Sequence, residues 1–293
     1  MTIFNLGSIN ADRFYTVPHL PKPGETLAAT SYNVGLGGKG ANQSIAAAKA
    51  GAKVIHMGAV GPDGDWAIAM LRAALVRTEH IIKTLIPTGH AIINVDPAGE
   101  NAIVIFSSAN TAQTEQAIDG ALTGAQKGDY CILQNETNLV EYAANVAKAK
   151  SLKVIYSAAP FNLAAVRQML PFIDILVLNE IESEQLVKGL GVSITKLPVK
   201  EVLITRGSRG STYRAQNGTI KMPAFKVDPV DTTGAGDTFL GFFVAGLDLG
   251  KSIQEAMRFA AAAAAIQVTR KGTAAAIPDL VEVLDFLDRR AEE

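Results

Sequence analysis

Residues 230 to 243 read VDTTGAGDTFLGFF, two aspartates around a turn of small residues that runs straight into apolar sequence. Small residues opening a helix leave backbone N–H groups unpaired at its positive end, which suits an anion. Gly234, Ala235 and Gly236 would supply those donors, since glycine lets a ligand approach the main chain without a Cβ in the way. Asp237, directly beside them, should repel the same anion. The conflict disappears if the anion is a phosphoryl group in transfer. The amides then stabilise its charge, while the carboxylate takes the proton of the attacking hydroxyl. Taken alone, Asp237 also reads as a helix-start carboxylate that complements the dipole. Asp231 lies outside the cradle and needs another task.

Three further stretches carry polar groups suited to a ligand. GSINAD brings Asn10 and Asp12 to the end of the first strand, where a parallel sheet presents its carboxyl edge to the ligand crevice. An amide and a carboxylate there can hold neighbouring sugar hydroxyls as donor and acceptor, although an Asx turn is the plainer reading. GLGGKGANQS places Lys39 and Asn42 beside bare backbone, and Gly35, Gly37 and Gly40 also satisfy G-x-G-x-x-G. The dinucleotide reading is weakened because the motif does not follow the first strand and no ribose-binding acid ends the next one. TRGSRG, with Thr205, Gly207 and Gly210, reads as a turn between strands or as a loop touching a nucleotide. VLNEIESEQL sets Asn179 and Glu182 at a strand end and helix start, where Glu182 is a solvated charge or a water-mediated magnesium holder. There is no G-x-x-x-x-G-K-[ST], and no histidine has a partner at triad or metal spacing.

The elements that must position these groups follow from periodicity. Continuous apolar runs such as KVIHMGAV, DYCILQ, LKVIYSA and DILVLN alternate with helical patterns such as ANQSIAAAKAGA and LVEYAANVAKAK. That order indicates a mostly parallel sheet covered on both faces. Residues 11–36 and about 80–106 break the rhythm, with strands and turns but no helices. They predict a small antiparallel flap over the carboxyl end of the sheet, placed to act as a lid. The whole chain, 1–293, reads as one such α/β domain.

Composition narrows the partners. The chain has 293 residues, 27 basic against 28 acidic, and no basic run or basic-aromatic stripe, which argues against nucleic acid or an anionic membrane. The single cysteine, Cys131, reads as a core residue. No signal peptide is evident and FAAAAAAI is too short to span a bilayer, so a soluble cytoplasmic protein is expected.

Together, GSINAD, GGKGAN, NEIESE, TRGSRG, DTTGAGDTF and VTRKG occur in an order that resembles the PfkB-type carbohydrate kinases over essentially the whole chain. The resemblance implies a three-layer α/β sandwich with a small β lid, often used as a dimer interface. It implies transfer of the ATP γ-phosphate to a sugar hydroxyl, foremost the 5-hydroxyl of D-ribose, with deoxyribose, another pentose or ketose, or a nucleoside as alternatives. Asp237 would be the base and Gly234, Ala235 and Gly236 the anion hole. Asn10, Asp12, Gly38, Lys39, Asn42 and Glu136 would hold the sugar. Thr205, Gly207, Gly210 and Gly236 would line the nucleotide site, with Asn179 and Glu182 organising magnesium. Asp231 would help bind an activating potassium ion with Thr233, Gln267, Arg270, Gly272 and Ala276, mostly through carbonyls.

This sequence departs from the family pattern at Ala276 (commonly serine), Ser157 (commonly asparagine) and Ala261 (often polar), and in a short segment before KEVLITRG. From other classes, GLGGKG suggests a nicotinamide-dependent oxidoreductase, and loss of catalysis would leave a sugar or nucleotide sensor.

Overall fold

Ile3, Phe4 and Leu6 are each no more than 2% exposed, so the first strand has both faces covered, as a strand inside a parallel sheet must. The computed structural model describes residues 1–290; the last three residues assigned above to the α/β domain lie outside the described residues. In chain order the elements are β1 (Thr2–Leu6), β2 (Asn10–Thr16), β3 (Ser31–Gly37), α1 (Lys39–Lys49), β4 (Lys53–Val60), α2 (Asp65–Ala73), β5 (Arg77–Lys83), β6 (Gly89–Val95) and β7 (Asn101–Phe106). They continue with α3 (Glu115–Leu122), β8 (Tyr130–Leu133), α4 (Val140–Ala149), β9 (Lys153–Ser157), α5 (Leu163–Met169), β10 (Ile175–Asn179) and α6 (Glu180–Leu190). The last are β11 (Glu201–Thr205), β12 (Ser211–Ala215), β13 (Gly218–Met222), α7 (Ala235–Asp248), α8 (Ile253–Val268) and α9 (Leu280–Arg289).

Nine strands form the central sheet in the order β13-β12-β11-β10-β9-β8-β1-β4-β5. All pairs from β11 to β5 are parallel, and the β12–β13 hairpin closes one edge antiparallel. Chain order runs outward in opposite directions from β1 and β8, so the switch point of the sheet lies between them. Ligands bind at such a point in open α/β folds. One apolar cluster packs α1, α2, α7, α8 and α9 on one face, and a second packs α3 to α6 on the other. The result is the expected three-layer sandwich.

A separate four-stranded sheet, β3-β2-β6-β7, forms the lid. Its outer pairs are antiparallel, as expected, while the middle pair, β2 with β6, runs parallel. Pro97 and Gly99 lie in the turn between β6 and β7, with Asp96 accepting N–H bonds from Ala98 and Glu100.

Two expectations need correction. Residues 77–83 belong not to the lid but to the central sheet, where β5 pairs in parallel with β4. The lid's second half therefore begins at Gly89. The misreading arose because β5 is an edge strand, so RTEHIIK is mostly polar and lacks the continuous apolar run of the inner strands. Asn10 and Asp12 do not end the first strand either. β1 stops at Leu6, the chain turns through Gly7 to Ile9, and both residues open the lid strand β2. Among the described residues, no helix is long and apolar enough to cross a membrane.

Candidate active site

Asp237 sits in the first turn of α7, and its position is set by how closely α7 approaches α1. A Cβ at Gly241 would fall 2.4 Å from the Ala46 Cβ and 2.7 Å from the Gln43 carbonyl, so only glycine lets the two helices meet here. One turn above that contact, α1 presents Asn42 and Gln43 to the carboxylate. Asn42 Nδ2 donates to Asp237 Oδ2 at 3.2 Å, and Gln43 Nε2 donates to Oδ1 at 2.9 Å.

The helix start is built as the small residues suggest. Gly234 adopts a left-handed conformation (φ 77°), and no side chain caps the turn. The first intrahelical bond runs from the Thr238 N–H to the Gly234 carbonyl at 2.9 Å. One of the three expected donors is engaged: the Ala235 N–H reaches the Thr232 carbonyl at 3.3 Å. The Gly236 and Asp237 amides lie in the part of a helix that has no acceptor of its own, and the space beside Gly236 is open. Gly234→Ala places a β-carbon in a region that L-residues rarely adopt, 3.0 Å from Gln267 Nε2. We expect it to cost about 1–2 kcal/mol, read from the denaturant midpoint, with a parallel loss of turnover as the helix start shifts.

Around Asp237 stand the groups expected to hold a sugar. Asn10 and Asp12 are buried in the lid sheet near the Gly37–Gly38 turn that starts α1. Asn10 Oδ1 accepts from Asn110 Nδ2 at 2.7 Å. Glu136, beyond the end of β8, accepts the Lys39 N–H at 3.2 Å and the Ser8 hydroxyl. Burial, then the Glu136 and Asp237 carboxylates, pushes Asp12 up to about 7 despite the opposing Lys39 ammonium. Burial likewise raises Asp237, opposed first by Lys39 and then by the Gln43 and Asn42 donors. Lys39 is raised chiefly by Asp237, with Glu136, Glu182 and Asp12 adding to the effect against its burial. Four carboxylates thus surround one ammonium.

On the other side of Gly236 lies a cavity of about 480 Å³. Thr205, Gly207 and Gly210 line one wall, and Phe225, Val227 and Phe239 with Ala261, Ala264 and Ala265 of α8 supply apolar surface. Ala235 and Gly236 belong to this cavity too, so it and the polar cluster meet at the start of α7. Asn179 and Glu182 form a reciprocal cap on α6: Asn179 Oδ1 accepts the Glu182 N–H at 2.8 Å, and Glu182 Oε2 accepts the Asn179 N–H at 2.7 Å. That bond leaves the other Glu182 oxygen for a hydrated cation. Burial raises the Glu182 pKa, opposed first by the Asn179 N–H and then by the Lys39 ammonium.

Asp231 and its group assemble behind the helix start. Its carboxylate accepts the Thr233 N–H at 2.9 Å and the Gly272 N–H at 3.0 Å, tying the two loops together. Gln267 Nε2 donates to the Thr233 carbonyl at 3.0 Å, and its own Oε1 is buried without a partner. Arg270 turns away to pair with Glu282, so only its main chain remains for a site here. Ala276 is buried in a 3-10 turn. Two facing loops with carbonyls, a carboxylate and an unpaired buried oxygen fit a weakly hydrated cation.

The G-x-G-x-x-G match does not fit a dinucleotide fold, because the turn follows the lid strand β3 rather than a strand of the parallel sheet. A pfkB family carbohydrate kinase profile matches residues 2–280. The chain belongs to the pfkB family of carbohydrate kinases. Among pfkB relatives, the ribokinase of Haemophilus influenzae is 39% identical over 98% of both chains. The crystal structure of ribokinase from Thermotoga maritima superimposes with a TM-score of 0.88 at 36% identity, covering 98% of this chain and 99% of that one. The structure of Arabidopsis thaliana ribokinase complexed with ribose and ATP gives 0.83 at 32% identity, covering 98% of each.

Some residues at the site were not anticipated. Gln43 touches Asp237 yet reads in sequence as a polar residue of a helix; its position beside Asn42 was the available signal. Gln134, Ser8 and Asn110 come from three other segments, so no local spacing could join them. Ala264 and Ala265 belong to a run that reads only as close packing.

Proposed function

We propose that the protein transfers the γ-phosphate of ATP to the 5-hydroxyl of D-ribose. The observation that carries this reading is the meeting of two unlike spaces at Gly236 and Asp237. A polar cluster suited to sugar hydroxyls lies on one side, and an apolar cavity suited to a nucleotide base lies on the other. Asn10, Asp12, Gly38, Lys39, Asn42 and Glu136 orient the sugar so that one hydroxyl faces Asp237. As the hydroxyl oxygen attacks the γ-phosphorus, its proton passes to the Asp237 carboxylate and ADP departs. The start of α7 at Gly234 to Gly236, with Lys39, stabilises the charge on the moving group. The raised pKa of Asp237 makes it a stronger base than a solvated carboxylate.

Thr205, Gly207, Gly210 and Gly236 would hold the nucleotide. Four carboxylates against one ammonium cannot also accept a bare triphosphate, so the nucleotide enters as its magnesium complex. Bound magnesium would neutralise phosphate charge, with Asn179 and Glu182 organising its water shell. The Asp231 group, with Thr233, Gln267, Arg270, Gly272 and Ala276, would hold potassium and so brace the loops on either side of the helix start. Apolar side chains exposed on the lid, among them Tyr32, Val34, Ile103, Ile105 and Phe106, support a homodimer through that sheet, which sedimentation would test. The cytoplasm, where ATP is available, is the proposed compartment.

The test is ADP release from magnesium-ATP across pentoses, 2-deoxyribose, ketoses, hexoses and nucleosides, in potassium and in sodium. Ribose-selective turnover is expected, with the potassium rate higher. Selective turnover on another sugar would overturn ribose while keeping the kinase. Quenching of NADH fluorescence in place of ATP binding would favour a nicotinamide enzyme.

A further inference from the structure

Behind Asp237 runs a chain of side chains that the reaction just described does not use. Gln43 Nε2 donates to Asp237 Oδ1, and Gln43 Oε1 accepts from Gln134 Nε2 at 2.8 Å. Gln134 Nε2 also donates to Asn5 Oδ1 at 2.8 Å. Asn5 Nδ2 in turn donates to the Gly40 carbonyl and to Ser44 Oγ, each at 2.9 Å. Ser44 lies 2.8 Å from His56 Nδ1. Burial lowers the His56 pKa to about 4, so its ring is neutral and shares one hydrogen bond with the serine hydroxyl through Nδ1. Asn5, Gln43, Ser44, His56 and Gln134 are all at most 1% exposed, so bulk water does not compete for these bonds.

The direction of each amide bond from Asn5 to Asp237 is determined by its neighbours. Asn5 must face its NH₂ to the Gly40 carbonyl, which fixes its oxygen toward Gln134. Gln134 must then present NH₂ to Gln43, and Gln43 can only present NH₂ to the carboxylate. An inverted Gln43 would set oxygen against oxygen at Asp237 and NH₂ against NH₂ at Gln134. Amide groups do not release protons near neutral pH, so the chain is not a route for the proton on Asp237. It is an anchor.

We propose that Gln43, locked by Gln134 and Asn5, is a positioning residue: it holds Oδ1 of Asp237 and leaves Oδ2 as the oxygen that receives the acceptor's proton. The opposite oxygen contacts Asn42, itself a proposed sugar ligand, through a longer bond of 3.2 Å that the sugar can replace. The inference rests on the kinase reading for its consequence but not for its geometry. The charged groups facing Asp237 are Lys39 on α1, Glu136 after β8, Asp12 on β2 and Glu182 on α6. All remain in a Gln43 variant.

Gln43→Met keeps the length and volume while removing donor and acceptor. Its kcat is expected to fall about tenfold or more, the loss of one hydrogen bond to a charged group. The KM for ribose should stay within about threefold. Because the lost bond held the carboxylate in its charged form, the acid limb of the kcat profile should move to higher pH by about one pH unit. Gln134→Met frees Gln43 to invert and should shift the limb the same way by less; it also carries the test if Gln43→Met does not fold. A ¹³C titration of Asp237, identified by its loss in Asp237→Asn, reads the same displacement without turnover. A displaced titration in an inactive wild type would therefore keep this inference and reject the ribose reading. Folded variants in which limb and titration coincide with wild type would overturn it.

Discussion

Asp237→Asn loses about 10²–10⁴ in kcat, the range that a positioned general base supplies, or roughly 3–5 kcal/mol of barrier. The substitution is nearly isosteric. The asparagine oxygen can still accept from Gln43 Nε2, so the start of α7 keeps its place against α1. What disappears is a site for the hydroxyl proton. Sugar binding should remain within a few-fold of wild type, measured by calorimetry in the absence of nucleotide. Removing one of four clustered carboxylates also relieves Asp12, whose pKa Asp237 helps to raise. A variant with near-normal turnover would end the assignment of Asp237 as the base.

The second large effect is at Asp12, and it has two signs. The folded chain raises this carboxyl from 3.8 to about 7. Below about pH 4 it is protonated whether the chain is folded or not, and it costs nothing. Between about 4 and 7 the folded chain retains a proton that the unfolded chain releases, so stability falls as the pH rises. Above 7 both states are ionised and the full cost stands, with a ceiling of about 4 kcal/mol. Asp12→Asn removes that cost. The ligand-free variant should melt about 4–8 °C above wild type at pH 8, with the gain shrinking toward zero near pH 4. The same change removes a charged acceptor for a sugar hydroxyl, and the KM for ribose should rise about 10–100-fold. A site that binds a polyol against clustered carboxylates is held at the expense of stability. An unchanged melting temperature at pH 8 would contradict this balance.

How much of this was legible in the sequence depended on the range of the physics involved. The start of α7 was readable because Gly234 to Asp237 act within one turn, through backbone and dipole. The Asn179–Glu182 pair was readable as a helix start for the same reason. The strand order and its switch point between β1 and β8 are set by pairing between distant segments, yet alternating apolar strands and helices implied the parallel sheet. Asn10 and Asp12 were placed on the wrong strand because IFNLGSINAD contains no strong breaker, and the turn at Gly7 depends on its packing against Gly40. The buried amide chain was beyond reach. Gln43 and Gln134 are 91 residues apart, and no local spacing joins them. The cavity face of α8 was hidden differently: Ala260, Ala262 and Ala263 are fully buried, while Ala261, Ala264 and Ala265 face the cavity. A run of alanines does not distinguish its faces by composition.

The most direct measurement is ³¹P NMR of the wild-type protein with magnesium-ATP and D-ribose in potassium buffer. One phosphomonoester with the coupling of a 5-phosphate should appear at the same rate as ADP, with no inorganic phosphate beyond the ribose-free control. ATP that stays intact, or is hydrolysed to inorganic phosphate without any sugar phosphate, would contradict transfer at Asp237.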